Sequence, residues 1–538
     1  MLCQGRCVSF LSSHVMGVPC HALRQQQRAI GKEMHTTISG VEEVFGQKKS
    51  RGTQVCSGAR ITTRNPSCQS RDDIYPSYEY VDSIDEQQQR SSRINNNNKG
   101  VSAARCYGCG VALQTDDPES SGYVNREKFE EKARHRQLDH LLCVRCQDLS
   151  HGKMIPGVED FAQLVEPRGL QKRLATPQEL REELQSVRSS RALIVLLVDL
   201  LDFSGSLLSR VRDLVGKNPI IAVGTKMDLL PRHVDCGDAF FDWFEDSLAF
   251  KKLSVVSMHV VSSKTGEGID EVAADIKQER LGRDVYIIGA ANVGKSAFVR
   301  AFVKEMASMT SRQFDPLAIG KSKRLPVESS MPGTTLSSIP LEVFHSGGTL
   351  YDTPGLHLHH RLPHILTPDE NKELHPRKRV STFQAPEPCS VSEQGDMHAC
   401  YCWGGLVRIH VIDCPPDTTL SFYGPQILRV EAIPYKTGEI LDIGKEKTAD
   451  AASGGGFGAG SVAARGGLRV VKRSNIKIPF AHGSKIPVAD IAVSGIPGWV
   501  NISSASSRPG QSIRVIIEAP VGIEAFVRPP IPLKLTSS

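Results

Sequence analysis

The chain has 538 residues, with 65 Lys and Arg against 59 Asp and Glu, for a net charge of +6. That length is too great for one hydrophobic core, so roughly two to four domains are expected. The mild positive charge permits an anionic partner without requiring one. The longest strongly apolar run, Ala192 to Val198, is far too short to cross a bilayer, so no transmembrane segment is expected.

At the N-terminus no acidic residue occurs before Glu33, whereas Arg6, Arg24, Arg28 and Lys32 do. Ser and Gln are frequent, and the apolar core of a secretory signal is missing. The pattern suits an organelle transit peptide, with an ordinary disordered tail as the alternative. Composition does not separate plastid from mitochondrion. The polar stretch continues through Gln87–Arg90 and Asn95–Asn98 and has too little apolar content to fold alone. Residues 1–104 are therefore expected to be leader.

Of the 14 cysteines, four have metal spacing and the rest are scattered, which points to a reducing compartment rather than a disulfide framework. Cys106-Tyr-Gly-Cys109 and Cys143-Val-Arg-Cys146 each present two thiolates from one tight turn. Two such turns complete a tetrahedral zinc site with no open position, hence a structural one that takes no part in hydrolysis; four unligated thiols are the alternative. A module over 105–155 is expected, with the charged segment 125–140 helical. His135, His140 and His151 read as surface histidines.

Thr176-Pro-Gln-Glu179 is a capping box with Pro at the first helical position, predicting a helix to about Ser189. A buried strand follows over Ala192–Val198, then an amphipathic helix over Leu207–Val215 and a second buried strand over Pro219–Val223. This strand runs into Thr225-Lys-Met-Asp228. A further strand, Ser254–Val261, enters Ser262-Ser-Lys264.

The next strand, Asp284–Ile288, leads into Gly289-Ala-Ala-Asn-Val-Gly-Lys-Ser296, and a helix begins at Ala297. This is G-x-x-x-x-G-K-[ST] in its strand–loop–helix context, a loop whose backbone N–H groups cradle phosphates. Gly289 and Gly294 allow the tight turn, Lys295 should reach the β- and γ-phosphates, and Ser296 should ligate Mg²⁺. A glycine turn before a core helix is the bland alternative. Downstream, Met331-Pro-Gly-Thr-Thr335 offers a switch threonine, with Thr335 favoured over Thr334, for Mg²⁺ and the γ-phosphate. A short strand, Thr349–Tyr351, enters Asp352-Thr-Pro-Gly355, where Asp352 would hold Mg²⁺ through water and the Gly355 N–H would sense the γ-phosphate.

Thr225–Asp228 resembles the base-reading N/T-K-x-D element of GTPases, with Thr where Asn is commonest. Asp228 would accept from guanine N1–H and N2–H₂, a donor pair adenine lacks, and Lys226 would pack along the base or the phosphate loop. Ser262-Ser263-Lys264 resembles the S-A-K loop that touches the guanine oxygen. All five elements are present, but both base motifs precede the phosphate loop. That order signifies circular permutation, which surface-lying, adjacent termini tolerate.

At this point the resemblance is specific. A four-cysteine module, a permuted GTPase and a C-terminal domain is the plan of the bacterial YqeH GTPases. Cys106–Gly110, Gly282–Phe298, Leu350–His360 and Trp403–Ile409 resemble its plant branch, the nitric-oxide-associated plastid GTPases. The resemblance spans roughly residues 105–530. It implies GTP/GDP and Mg²⁺ as ligands, a role in small-subunit ribosome assembly and organelle translation, rRNA as a direct partner, and a plastid address. It also implies that Asn292 helps to bind an activating K⁺, so the residues expected to act in hydrolysis are Lys295, Thr335, Gly355 and Asn292. Leu356 stands where many GTPases carry a water-positioning Gln, so unaided hydrolysis should be slow. Nitric oxide synthesis is rejected, because the sequence carries no haem, flavin or nicotinamide signature.

The expected fold is therefore α/β: a permuted P-loop GTPase domain (156–362) with a doubly wound, mostly parallel sheet, preceded by the zinc module. It is followed by a linker rich in Pro, His and charge (363–400) and a β-rich domain (401–538). Strands are expected at Leu406–Ile412, Ile427–Ala432 and Ser512–Glu518, with Ala451–Gly467 a flexible insert. Arg465, Arg469, Lys472, Arg473 and Lys477 form a basic cluster that could track an RNA backbone or be a solvated face. The rival to a GTP-hydrolysing enzyme is a zinc-dependent RNA-binding protein that keeps GTP as a structural ligand. An ATPase is disfavoured by Asp228.

Overall fold

In the computed structural model the described residues are 104–151, 185–208, 210–328, 333–356, 358–386, 390–391, 397–415, 417–433, 456–479, 485–505 and 510–534. The leader over 1–103, the capping box at 176–179, Met331-Pro332 and the first part of the 451–467 insert lie outside them.

Residues 104–151 gather around four buried thiols. They carry α1 (Arg126–Arg134), a single 3₁₀ turn (Leu138–His140) and α2 (Val144–Ser150). Asn125 caps α1 by accepting from the Glu127 N–H at 2.9 Å, with acid in the first turn and base in the last. The helix expected over 125–140 ends at Arg134, because Arg136 takes a left-handed backbone (φ 54°).

Next comes α3 (Gln185–Ser189) and then β1 (Ala192–Asp199), buried at every position. The helix expected over 207–215 is broken. α4 (Phe203–Ser206) ends at an extended Leu207, and α5 (Val211–Val215) begins only after Arg210 at φ 56°. Leu207 and Leu208 are buried all the same, so their spacing marks packing rather than a helix. β2 (Ile220–Thr225), α6 (Asp238–Phe250), β3 (Ser257–Val260), α7 (Ile269–Glu279), β4 (Asp284–Gly289), α8 (Lys295–Ala307), α9 (Pro316–Lys321), β5 (Ile339–Leu341) and β6 (Leu350–Asp352) complete this part. They form one sheet in the order β3-β2-β1-β4-β6-β5, parallel except for β5. β1 and β2 are flanked on both sides and read as continuous apolar runs. β3 is a half-buried edge, shorter than the expected 254–261.

The segment expected as a linker is folded. Leu362–His364 form a 3₁₀ turn, and α10 (Pro368–Leu374) starts on a capping box made by Thr367 and Glu370. β7 (Ser381–Gln384) joins a sheet. Leu362, Ile365, Leu366 and Leu374 enter the apolar core of the last part of the chain, which a solvated tether would not do.

That last part is built from β8 (Ser390–Val391), β9 (Met397–Trp403), β10 (Val407–Cys414), β11 (Thr419–Gly424), β12 (Val430–Ile433), α11 (Ala459–Ala464), β13 (Leu468–Lys477), β14 (Ile486–Val493), β15 (Trp499–Ser504), β16 (Ser512–Pro520) and β17 (Ala525–Arg528). One sheet runs β12-β9-β10-β16-β13, with β8 on β9; the other runs β17-β14-β15-β11-β7. Buried residues of both sheets, among them Ile409, Ile517, Phe422 and Ile491, form one cluster. Within the expected flexible insert, α11 is ordered and seats Val462 in that cluster.

The chain then returns to its earlier half. The Trp243 indole N–H donates to Pro529 O at 3.1 Å, Leu533 bridges Val234, and Lys534 N donates to His233 O at 2.6 Å. A buried pair ties the two parts together. Arg361 Nε and Nη2 lie 3.0 and 2.9 Å from Asp202 Oδ2, which also accepts from Gly495 N at 2.9 Å. No described helix is long and apolar enough to cross a membrane.

Candidate functional site

The loop after β4 carries the phosphate motif. A Cβ at Gly289 would lie 2.8 Å from Leu197 O, so no side chain fits there, and Gly294 sits at φ 93°. Asn292 also takes a left-handed backbone, at φ 63°. Lys295 is buried, its Nζ 2.8 Å from Ala290 O and 3.2 Å from Gly289 O. Burial pulls its pKa down to about 8 against the opposing pull of Asp352. An anion placed in the loop would add to the counter-charge that Asp352 supplies. Arg361 supports the loop from behind, Nη1 donating to Ala291 O at 2.8 Å.

Three groups expected around Mg²⁺ converge. Ser296 Oγ donates to Asp352 Oδ2 at 2.9 Å, and Thr335 Oγ1 lies 3.2 Å from Ser296 Oγ and 3.4 Å from Asp352 Oδ2. Asp352 Oδ1 is buried without a hydrogen-bond partner. Burial pushes this carboxyl up to about 6, partly offset by Lys295. An orphaned, desolvated carboxylate oxygen beside two hydroxyls is a donor set suited to a hard divalent cation and its waters. Gly355 has to be glycine: a Cβ there would sit 2.9 Å from Ala291 Cα and 3.0 Å from Lys295 Nζ. Leu356 is buried and pairs with the loop, its N donating to Gly289 O at 3.1 Å and its O accepting from Ala291 N at 2.7 Å.

At the other end, Thr225 Oγ1 lies 2.6 Å from Val293 O, so it ties the base loop to the phosphate loop. Lys226, at φ 66°, places Nζ 2.5 Å from Asp199 Oδ2. Asp228 Oδ1 accepts from Ser262 Oγ at 2.8 Å, and Ser262 in turn accepts from Thr265 N at 3.1 Å. Ser262 is fully buried and orients Asp228, whereas Ser263 and Lys264 face the cavity.

One cavity of about 820 Å³ is lined by Thr225, Lys226, Asp228, Ser263, Lys264, Asn292, Gly294, Lys295, Ser296, Thr335 and Gly355. Thus elements far apart in the chain meet in one space. His375, Pro376 and Arg377 line it too, and the sequence reading missed them. They follow α10, and Lys264 Nζ donates to Arg377 O at 3.4 Å while Val380 N donates to Leu229 O at 2.9 Å. Burial, then the charge of Lys226, pushes His375 down to about 4, so it is neutral at physiological pH. The capping box at Thr367 was the signal available for α10.

The four predicted thiols meet as well: the sulfurs of Cys106, Cys109, Cys143 and Cys146 all lie within 4.8 Å of one another, and all four residues are buried. Cys143 N donates to Cys106 Sγ at 3.3 Å. Four free thiols so crowded suit one tetrahedral ion. The basic residues lie elsewhere. Arg469, Lys472, Arg473 and Lys477 are exposed on β13, the edge of its sheet, and Arg465 caps α11 half-buried.

Comparison with known proteins bears on this arrangement. The family model described as 50S ribosome-binding GTPase matches residues 284–389. The chain is 40% identical over 452 residues to NO-associated protein 1, chloroplastic/mitochondrial, of Arabidopsis thaliana, covering 80% of this chain and 77% of that one. It is 41% identical to a putative nitric oxide synthase of Oryza sativa subsp. japonica, with 81% and 79% covered. It is 27% identical to the uncharacterized protein YqeH of Bacillus subtilis, over 79% of this chain and 98% of that one. The cavity is that of a GTPase domain, and the chain belongs to the NO-associated protein 1/YqeH family of GTPases.

Proposed function

We propose that this chain hydrolyses GTP and uses the cycle to support small-subunit ribosome assembly and translation in the chloroplast, with the mitochondrion as the alternative compartment. The observation that carries the reading is the single cavity in which the phosphate loop, the Ser296–Thr335–Asp352 cluster and Asp228 meet although their order along the chain is rotated. Rotation with an unbroken sheet is the mark of a circularly permuted GTPase domain at about 156–362, between a zinc module and a C-terminal β-rich domain. The family-model match beginning at residue 284, after both base motifs, supports that reading.

Loop N–H groups and Lys295 hold the phosphates, and Ser296, Thr335 and Asp352 hold Mg²⁺. Bound there, Mg²⁺ would supply neutralising charge to the phosphates. Asp228, held by Ser262, reads guanine, and Gly355 N–H faces the γ-phosphate. Nitric oxide synthesis is not part of the proposal. The basic residues of β13 and Arg465 engage rRNA; crosslinking in organelles followed by RNA sequencing tests this. The matched family model is described by the 50S particle, whereas the small-subunit assignment follows the resemblance to YqeH, and the crosslinked RNA decides between them.

Asp228→Asn replaces one acceptor by a donor and should transfer preference to xanthine nucleotides. The lost pair of hydrogen bonds is worth roughly 2–4 kcal/mol, or about thirty- to a thousand-fold in GTP affinity. Parent-like GTP binding by this variant would refute the base-site assignment.

Leu356, apolar and buried against the loop, cannot orient water, which favours slow unaided turnover and keeps the structural-ligand reading in play. Asn292 is proposed to help bind K⁺, whose charge would substitute for an arginine finger. Turnover should then be faster in potassium than in sodium, and Asn292→Ala should erase the difference. Equal rates in both salts would end the potassium proposal, and no turnover under any salt or with ribosomes would favour GTP as a structural ligand.

A further inference from the structure

We infer that the four-cysteine module is a clamp on the Thr335 segment, and that Arg145 is the positioning residue of that clamp. The inference rests on the GTPase reading of the cavity and adds to it a regulator within the chain.

Residues 333–338 lie in no helix or strand. The module supplies the hydrogen bonds that secondary structure would otherwise provide. Arg145 stands between the thiols of Cys143 and Cys146, at the start of α2. Its guanidinium engages the segment before Thr335, Nη2 donating to Gly333 O at 2.5 Å and Nη1 to Thr334 O at 3.4 Å. On the other side of Thr335, the carbonyl of Cys109 accepts from Leu336 N at 3.0 Å and from Ser337 N at 3.1 Å. Thr335 is therefore held from both flanks by residues of the two knuckles.

Packing agrees with the hydrogen bonds. Val327 is buried in the module's own apolar cluster, with Leu336 against it, and Val327 N donates to Gly108 O at 3.2 Å. The contact is close enough to demand glycine. A Cβ at Gly110, which has φ 80°, would lie 2.3 Å from Ser337 O. A guanidinium suits the task because its planar fork presents two N–H donors in fixed geometry to two successive carbonyls, with less freedom to lose than a flexible ammonium.

In GTPases the switch threonine is ordered by the γ-phosphate and its Mg²⁺ and is released on hydrolysis. Here the flanks of Thr335 are already fixed by the module, so less ordering is left for the triphosphate to bring about. The clamp should thus favour GTP over GDP, because only the triphosphate state uses Thr335.

The test compares the full-length parent with Arg145→Ala, Arg145→Lys and Gly110→Ala. Dissociation constants for a non-hydrolysable GTP analogue and for GDP are measured at fixed Mg²⁺, with zinc content, thermal midpoint and hydrogen exchange at Leu336 and Ser337. Arg145→Ala should weaken the GTP analogue about tenfold, the effect of losing one good charge-assisted hydrogen bond, with GDP unchanged. Exchange at Leu336 and Ser337 should rise while zinc is retained. Arg145→Lys should recover part of the loss, and Gly110→Ala should repeat it by pushing the module off Ser337. An unchanged ratio of GTP-analogue to GDP affinity in both Arg145→Ala and Gly110→Ala would overturn the clamp. So would equal weakening of both nucleotides, which marks a merely structural role. A parent that binds no guanine nucleotide would instead defeat the GTPase reading, whatever the variants do.

Discussion

Removing the zinc proposed for the four-thiol site, or making Cys109→Ser, is expected to unfold residues 104–151. The core of this module is small: besides the thiols it buries Val124, Leu141 and Leu149, and it borrows Val327 from elsewhere in the chain. Helix α1 buries no residue fully and leans on this cluster through the half-buried Phe129, so apolar burial holds it only weakly. Segments this small seldom fold without a staple, whereas a structural zinc ion contributes about 10–16 kcal/mol in comparable peptides at neutral pH. The loss should appear as metal release and fast hydrogen exchange confined to 104–151 and 333–338. Intact protein purified without zinc would sink the prediction. The sequence reading kept zinc apart from hydrolysis. The Cys109 carbonyl on Leu336 and Ser337 changes that expectation, and metal loss should also weaken the GTP analogue.

Arg361→Ala should cost about 3–5 kcal/mol at pH 7.5, the usual result of stranding one partner of a buried ion pair. Asp202 would be left buried, and Ala291 O in the phosphate loop would lose its donor. The pH dependence follows from Asp202. Burial pushes its carboxyl up to about 6, despite the pull of Arg361. A folded-state pKa above the unfolded value means that the native state binds the proton more tightly, so ionising this group costs stability as pH rises from about 4 to about 6. Without Arg361 the carboxyl moves higher still and the penalty at neutral pH grows. The variant's deficit should therefore be smaller at pH 5.5 than at pH 7.5, as read by denaturant midpoints. Equal deficits at the two pH values would show that Asp202 is not the stranded charge.

The parts legible in the sequence were those that chemistry or double burial writes locally. β1, β2 and β4 are flanked on both sides and so read as apolar runs, and the phosphate loop has a spacing fixed by what it must cradle. Elements shaped by tertiary docking were not legible. β3 is an edge and shortens; Leu207 and Leu208 pack without being helical. Polar composition hid the fold of 363–384, even though Thr367 and Glu370 sit at capping-box spacing in the sequence. Nothing local announces that His375 and Arg377 reach the cavity, or that Arg145 bonds to Gly333 across 188 positions. Thr225 is a related case. The motif made it a base-loop residue, but only the fold shows its hydroxyl on Val293 O.

The return of residues 529–534 to Trp243 and His233 sets a timetable for the newborn chain. The partner of the Trp243 indole is made 286 residues after it. At synthesis rates of about 5–20 residues per second, that interval lasts roughly 15–60 s. Throughout it, the surface around Trp243 and Val234, buried in the finished protein, lacks its cover. The phosphate loop, by contrast, can meet its base motifs once residues 289–296 have emerged, because those motifs precede it in the chain. The four thiols are complete earlier still, at Cys146, so zinc and then nucleotide have their ligands in place well before the final strands exist.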